Sequence, residues 1–148
     1  MSESPDPSNS PAAASIQMIL FGAFVVSHLL LAGIGVFMQM SGGVEIADGA
    51  MDLMLPVLGV VAVSTLVATF TAVPMFLGDS PYQVYMIMRF AFAESITIFG
   101  LVLAMSGVPL EYCAAFWGVG LATHLTLAPT QRDRELHAER RVARAKAK

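Results

Sequence analysis

Positive charge is what this sequence most lacks. Between Ile16 and Pro129 the only Lys or Arg is Arg89, and His28 and His124 are the only other side chains there that can become cationic. Charge of either sign is scarce, at 13 % of 148 residues, about half the roughly 25 % of soluble chains. Apolar residues make up 56 % and the mean hydropathy is +0.70. Long stretches have no polar face, which excludes a water-soluble domain and leaves one small membrane domain. Cysteine is nearly absent too. Cys113 alone allows no internal disulfide and no thiol-based redox or metal motif, so it reads as a small apolar residue. No segment alternates with period two for long enough to form a barrel strand, so the spanning elements are helices. The first fourteen residues, MSESPDPSNSPAAA, contain no Lys or Arg, unlike the basic start of a secretory signal. Their Pro, Ser and acidic residues predict a disordered leader over 1–14.

What is present is four apolar runs. A helix needs about 20 such residues to cross the hydrocarbon core. The runs cover about 16–40, 51–77, 84–106 and 109–128, within a domain of residues 15–129. Short connections join them: SGGVEIADGA, GDSPYQ and GV. The expected fold is all-α, an integral membrane bundle of four antiparallel transmembrane helices.

Seven of the eight basic residues follow Pro129. The positive-inside rule therefore places the tail, 130–148, in the cytoplasm, and four crossings place the N-terminus there as well. The connections carrying Glu45, Asp48 and Glu111, but no base, then fall outside. The tail is Ala-rich with mixed charge and is expected to be partly helical. It serves as a topology anchor or as a patch for anionic lipid, at about 1 kcal/mol per base near the surface.

Ionisable groups in a membrane are costly and are functional candidates by default. Glu94 lies near the middle of the third span and His28 near the middle of the first; Ser64 and Thr65 are central in the second. These four form the expected ion-binding or polar cluster. Arg89 and His124 form a second layer nearer the cytoplasm, with Arg89 reaching the headgroups or a tail carboxylate. Three roles stay open for Glu94: a hydrogen-bonded structural carboxyl, a site for a proton or cation, or a contact to another subunit. The ten methionines are spread without ligand spacing and read as packing. No nucleophile–base pair, phosphate loop, Cys/His cluster or nucleic-acid stripe is present. Enzyme activity, a metal site, a cofactor and nucleic-acid binding are not expected. The partners to expect are the bilayer, and other membrane subunits or a second copy.

The stretch Arg89-Phe-Ala-Phe-Ala-Glu94-Ser-Ile-Thr-Ile-Phe-Gly100-Leu-Val-Leu-Ala104 resembles the second helix of the proteolipid c subunit of rotary ATP synthases. The resemblance implies that Glu94 stands at the proton- or sodium-binding carboxylate and that 51–77 stands at the preceding helix. In length and layout the chain also resembles small four-span bacterial membrane proteins without assigned activity that carry an R-x-A-x-x-E-x-x-x-x-F-G-L-V helix. That likeness implies a bacterial inner-membrane location. Two functions are therefore expected as alternatives: a non-enzymatic interaction or accessory subunit with a polar cluster around Glu94, or a proton- or cation-binding carrier similar in principle to the c subunit.

Overall fold

The computed structural model describes residues 11–42 and 50–146, and all regular structure among them is helical. The helices are α1 (Pro11–Met40), α2 (Ala50–Phe70), α3 (Ala72–Leu77), α4 (Tyr82–Met105), α5 (Leu110–Thr126) and α6 (Gln131–Lys146). Three stretches are long and apolar enough to cross a membrane: Ala12–Met40, Met51–Leu77 and Tyr82–Met105. Glu45 and Asp48 of the first connection, and residues 1–10 of the expected leader, lie outside the described residues. Residues 11–14 of that leader are helical instead, because Pro11 suits a first helical turn and three alanines continue it.

Local chemistry sets the boundaries. Gly107, at φ 75°, ends α4. Its N–H donates to the Ala104 carbonyl (3.2 Å) and the Val108 N–H donates to the Leu103 carbonyl (3.0 Å). This pair of bonds is a Schellman motif, and glycine takes the left-handed conformation it requires. Pro109 and Pro81, both extended with ψ 142°, open α5 and α4. The run 51–77, expected as one helix, is broken at Thr71. Pro74 causes the break: it has no N–H for the Phe70 carbonyl, and its ring crowds the preceding turn.

α4 is the hub. In its apolar window 44 % of residues are buried, against 11 % for α1 and 6 % for the α2–α3 run. It packs against α1, α2, α3, α5 and α6. Near Gly107, a cluster of Leu103, Ala104, Val108, Cys113 and Trp117 receives Met54, Leu55 and Leu58 of α2. Near Pro81, Val73, Tyr82, Tyr85, Met86, Phe90 and Leu127 pack with Phe21 and Phe24 of α1. The outward faces of α1 and α2 are apolar: Ile19 and Phe37 are 70 % exposed and Val60 is 68 % exposed. Apolar faces of this extent are satisfied by lipid and not by water.

α6 lies against the body near Pro81. Thr130 caps it by accepting the Asp133 N–H (3.1 Å). Asp133 accepts the Tyr82 hydroxyl (2.8 Å) and sits 3.7 Å from the Arg89 guanidinium. Arg144 donates to the carbonyls of Pro74 and Met75, both at 3.2 Å. The tail is thus a docked helix, not only a basic anchor.

Candidate functional site

The centre of the bundle is built by three helices. α1 contributes Ser27 and His28, α4 contributes Glu94 and Thr97, and α5 contributes Gly120 and His124. His28, Glu94 and His124 are 2 %, 8 % and 0 % exposed. Each offers one ligand-type atom, and the three atoms lie within 4.8 Å of one another. On α4, Glu94 and Thr97 are three apart and share a face. A spacing of four puts His124 one turn from Gly120 on α5.

Each of the three groups is oriented by a second partner. The Ser27 hydroxyl donates to Glu94 Oε1 at 2.7 Å. The His124 Nδ1 lies 2.9 Å from the Gly120 carbonyl. A carbonyl only accepts, so Nδ1 carries a proton. Thr97 Oγ1 and His28 Nδ1 are 2.5 Å apart. Gly120 is required by this approach, because a Cβ there would meet Thr97 Oγ1 at 2.6 Å and His28 Cε1 at 3.0 Å.

The remaining atoms face each other. His124 Nε2 and Glu94 Oε2 are 3.5 Å apart, and neither has a hydrogen-bond partner. That separation is too long for a hydrogen bond but well within electrostatic reach. With Nδ1 protonated, a neutral His124 presents a lone pair to a carboxylate oxygen. Two acceptors so placed in a buried site repel, unless they share a proton or a cation. The donor set of two imidazoles and one carboxylate is also one that holds a metal ion. The grouping of His28, Glu94 and His124 was not expected as a set of possible metal ligands. The three ligands come from distant positions on three helices, so no spacing announces them.

On the Pro81 side the centre is bounded by aromatic rings. Phe90 stacks on His124 (5.9 Å between centroids), and Phe24 contacts both Phe90 (5.3 Å) and His124 (6.2 Å). On the other side Trp117 fills the space between Gly35 and Gly100.

Of the expected cluster, Glu94 and His28 meet; Ser64 and Thr65 do not join them. Their hydroxyls donate back to the carbonyls of Val60 and Val61, both at 2.8 Å. α2 packs through Met54, Leu55, Leu58 and Ala62, and Ser64 is two residues, about 200°, away from Ala62. His124, expected beside Arg89, belongs to the central group instead. α5 has 17 residues against 24 in α4, so a residue near its end stands opposite the middle of its neighbour. Arg89 lies nearer Pro81, beside Asp133 and over the rings of Tyr85 (5.2 Å) and Phe70 (5.7 Å). Ser27, Thr97 and Gly120 are not among the expected site residues. Their signal is positional: each lies one, three or four residues from a titratable group on its own helix.

Comparison of the chain with family models, curated proteins and solved structures finds no match.

Proposed function

We propose that this protein is a non-enzymatic, four-crossing membrane protein that binds an exchangeable cation at a centre formed by His28, Glu94 and His124. The observation that carries this reading is the pair of facing acceptors, His124 Nε2 and Glu94 Oε2, 3.5 Å apart and buried. In each of its states without repulsion the pair holds a cation: a proton on the carboxyl, a second proton on the imidazole, or a metal ion between them. A group that changes occupancy in this way suits a carrier or sensor of protons or cations. The likeness of residues 89–104 to the c-subunit helix points the same way, although here Glu94 faces histidines of its own chain.

In this reading α5 is the fourth crossing. Its 17 residues rise about 25 Å, and Leu127 and Ala128 extend the apolar run toward the roughly 30 Å core. The Pro81 end, with α6 docked on it, is cytoplasmic, both termini are cytoplasmic, and the membrane is a bacterial inner membrane. The basic residues of the tail carry the orientation.

Carbodiimide labelling in intact membranes tests the centre. Glu94 is expected to react in a pH-dependent way, and Glu94→Gln is expected to abolish the product. Absence of labelling at Glu94 across the pH range counts decisively against an exchangeable proton or cation there.

A second reading, the accessory subunit, draws on an apolar groove between α2, α4 and α5 lined by Gly59, Ala62, Val63, Ile96, Phe116 and Val119. Cross-linking from cysteines placed at 63 and 119 discriminates the two readings. A specific adduct to another membrane protein, together with unreactive Glu94, favours the accessory role.

A further inference from the structure

We infer that the cation taken by this centre is a divalent first-row transition metal ion, with zinc the ion that the donor set fits best. The inference rests on the cation-binding reading above and narrows it from any positive charge to one ligand class.

Donor chemistry makes the first selection. Two imidazole nitrogens and one carboxylate oxygen suit zinc and its neighbours, three protein ligands with one position open. Calcium takes six to eight oxygens and magnesium a near-octahedral oxygen set, and one carboxylate beside two imidazoles supplies neither. Soft monovalent ions prefer sulfur, but the one thiol, Cys113, lies in the packed cluster near Gly107 with its sulfur 3.5 Å from the Val108 carbonyl.

Distance makes the second selection. An ion held tetrahedrally at about 2.0–2.1 Å from two ligand atoms keeps those atoms about 3.3 Å apart. His124 Nε2 and Glu94 Oε2 are 3.5 Å apart, near that edge length. The third ligand atom, from His28, lies within 4.8 Å of both.

The partners behind the ligands make the third. A ligating histidine commonly gives its other ring N–H to a carbonyl or carboxylate, and ligating carboxylates are themselves hydrogen-bonded. His124 donates Nδ1–H to the Gly120 carbonyl, and Glu94 Oε1 accepts from Ser27. The His28 ring is held by Thr97. These contacts leave His124 Nε2 and Glu94 Oε2 as the atoms without partners. Metal binding at the pair displaces the proton it would otherwise share, and that proton leaves to solvent.

The test uses the full-length protein in detergent, freed of any purification tag and stripped with a chelator. Zn²⁺ is titrated by calorimetry and Co²⁺ by its visible absorption. One ion per chain is expected, with a tetrahedral Co²⁺ spectrum and release of a proton. Glu94→Gln, which keeps an acceptor for Ser27, and His124→Gln are expected to abolish binding. Thr97→Val should weaken it about 10- to 100-fold, and His137→Gln, on α6, should leave it unchanged. Zn²⁺ should also protect Glu94 from carbodiimide. Absence of binding, or binding indifferent to Glu94→Gln and His124→Gln, overturns the metal. If Glu94 still labels with pH dependence, the proton reading survives that result; if labelling also fails, both readings fall.

Discussion

At His124 the two ring nitrogens have different fates, one committed to the Gly120 carbonyl and one facing Glu94. The centre depends on how closely α5 approaches α1 and α4, and Gly120 controls that approach. Gly120→Ala places a methyl group 2.6 Å from Thr97 Oγ1. Overpacking of this kind costs about 1–3 kcal/mol, so thermal denaturation in detergent should show a less stable protein, with Glu94 labelling disturbed. Gly118→Ala, where nothing lies within 4 Å of the new atom, should behave as the wild type. Glu94→Gln should preserve stability by keeping the Ser27 bond, whereas Glu94→Leu should lose about 0.6–2 kcal/mol; an equally stable Leu variant would remove the case for that bond. Glu94 and His28 were legible in the sequence because a titratable group in a span is costly enough to need a reason. Ser64 and Thr65 did not join them, because depth along a helix does not say which helices meet at that level. A hydroxyl can be satisfied by its own helix, as theirs are, so Ser27 and Thr97 looked no different from them.

Among the elements, α6 departs furthest from the sequence reading. Its helicity was visible in its alanines and mixed charges, but a charged helix has the same composition whether solvated or docked. The carboxylate expected to meet Arg89 is Asp133, a pairing that composition could suggest without naming the residue. His137 is 6 % exposed, packed on the rings of Tyr85 (4.7 Å between centroids) and Tyr82 (5.5 Å). Burial, and then the nearby Arg141, push its pKa below the usual histidine value, while Asp133 pulls it up and Arg140 adds to the lowering. Docking therefore favours neutral His137. The contribution is complete above the ordinary histidine value of about 6.5 and is lost as pH falls below it toward the depressed docked value. A spin label at Val142, which is 55 % exposed, should become more mobile over that interval. In His137→Gln the mobility should not respond to pH in this range. The break at Thr71 follows from Pro74, legible as a helix disturbance. Its stabilisation by Arg144, 70 residues later, was not legible at all.

For the whole molecule, the three long apolar helices were plain from composition, since a run of about 20 apolar residues has few other uses. Helix ends were nearly as plain where Pro81, Gly107 and Pro109 punctuate them. The central role of α4 was not, because α1 and α2 are equally apolar by sequence and only packing reveals which helix is enclosed. The proposed orientation has a direct test. In a Cys113→Ala background, single cysteines at 45 and 146 should react with an impermeant maleimide from outside and inside respectively. The opposite pattern would invert the topology and put the docked helix on the external face.

The contacts of α6 also impose an order on the protein's own making. Arg144 meets Met75 across 69 residues and Asp133 meets Tyr82 across 51. At about 5–20 residues per second, the longer interval takes roughly 3–14 s to synthesise. For those seconds the carbonyls at the Pro74 break await their donor and Arg89 awaits its carboxylate. The nascent bundle thus passes through a stage with its helices assembled and one end unfastened. Closure is the work of α6.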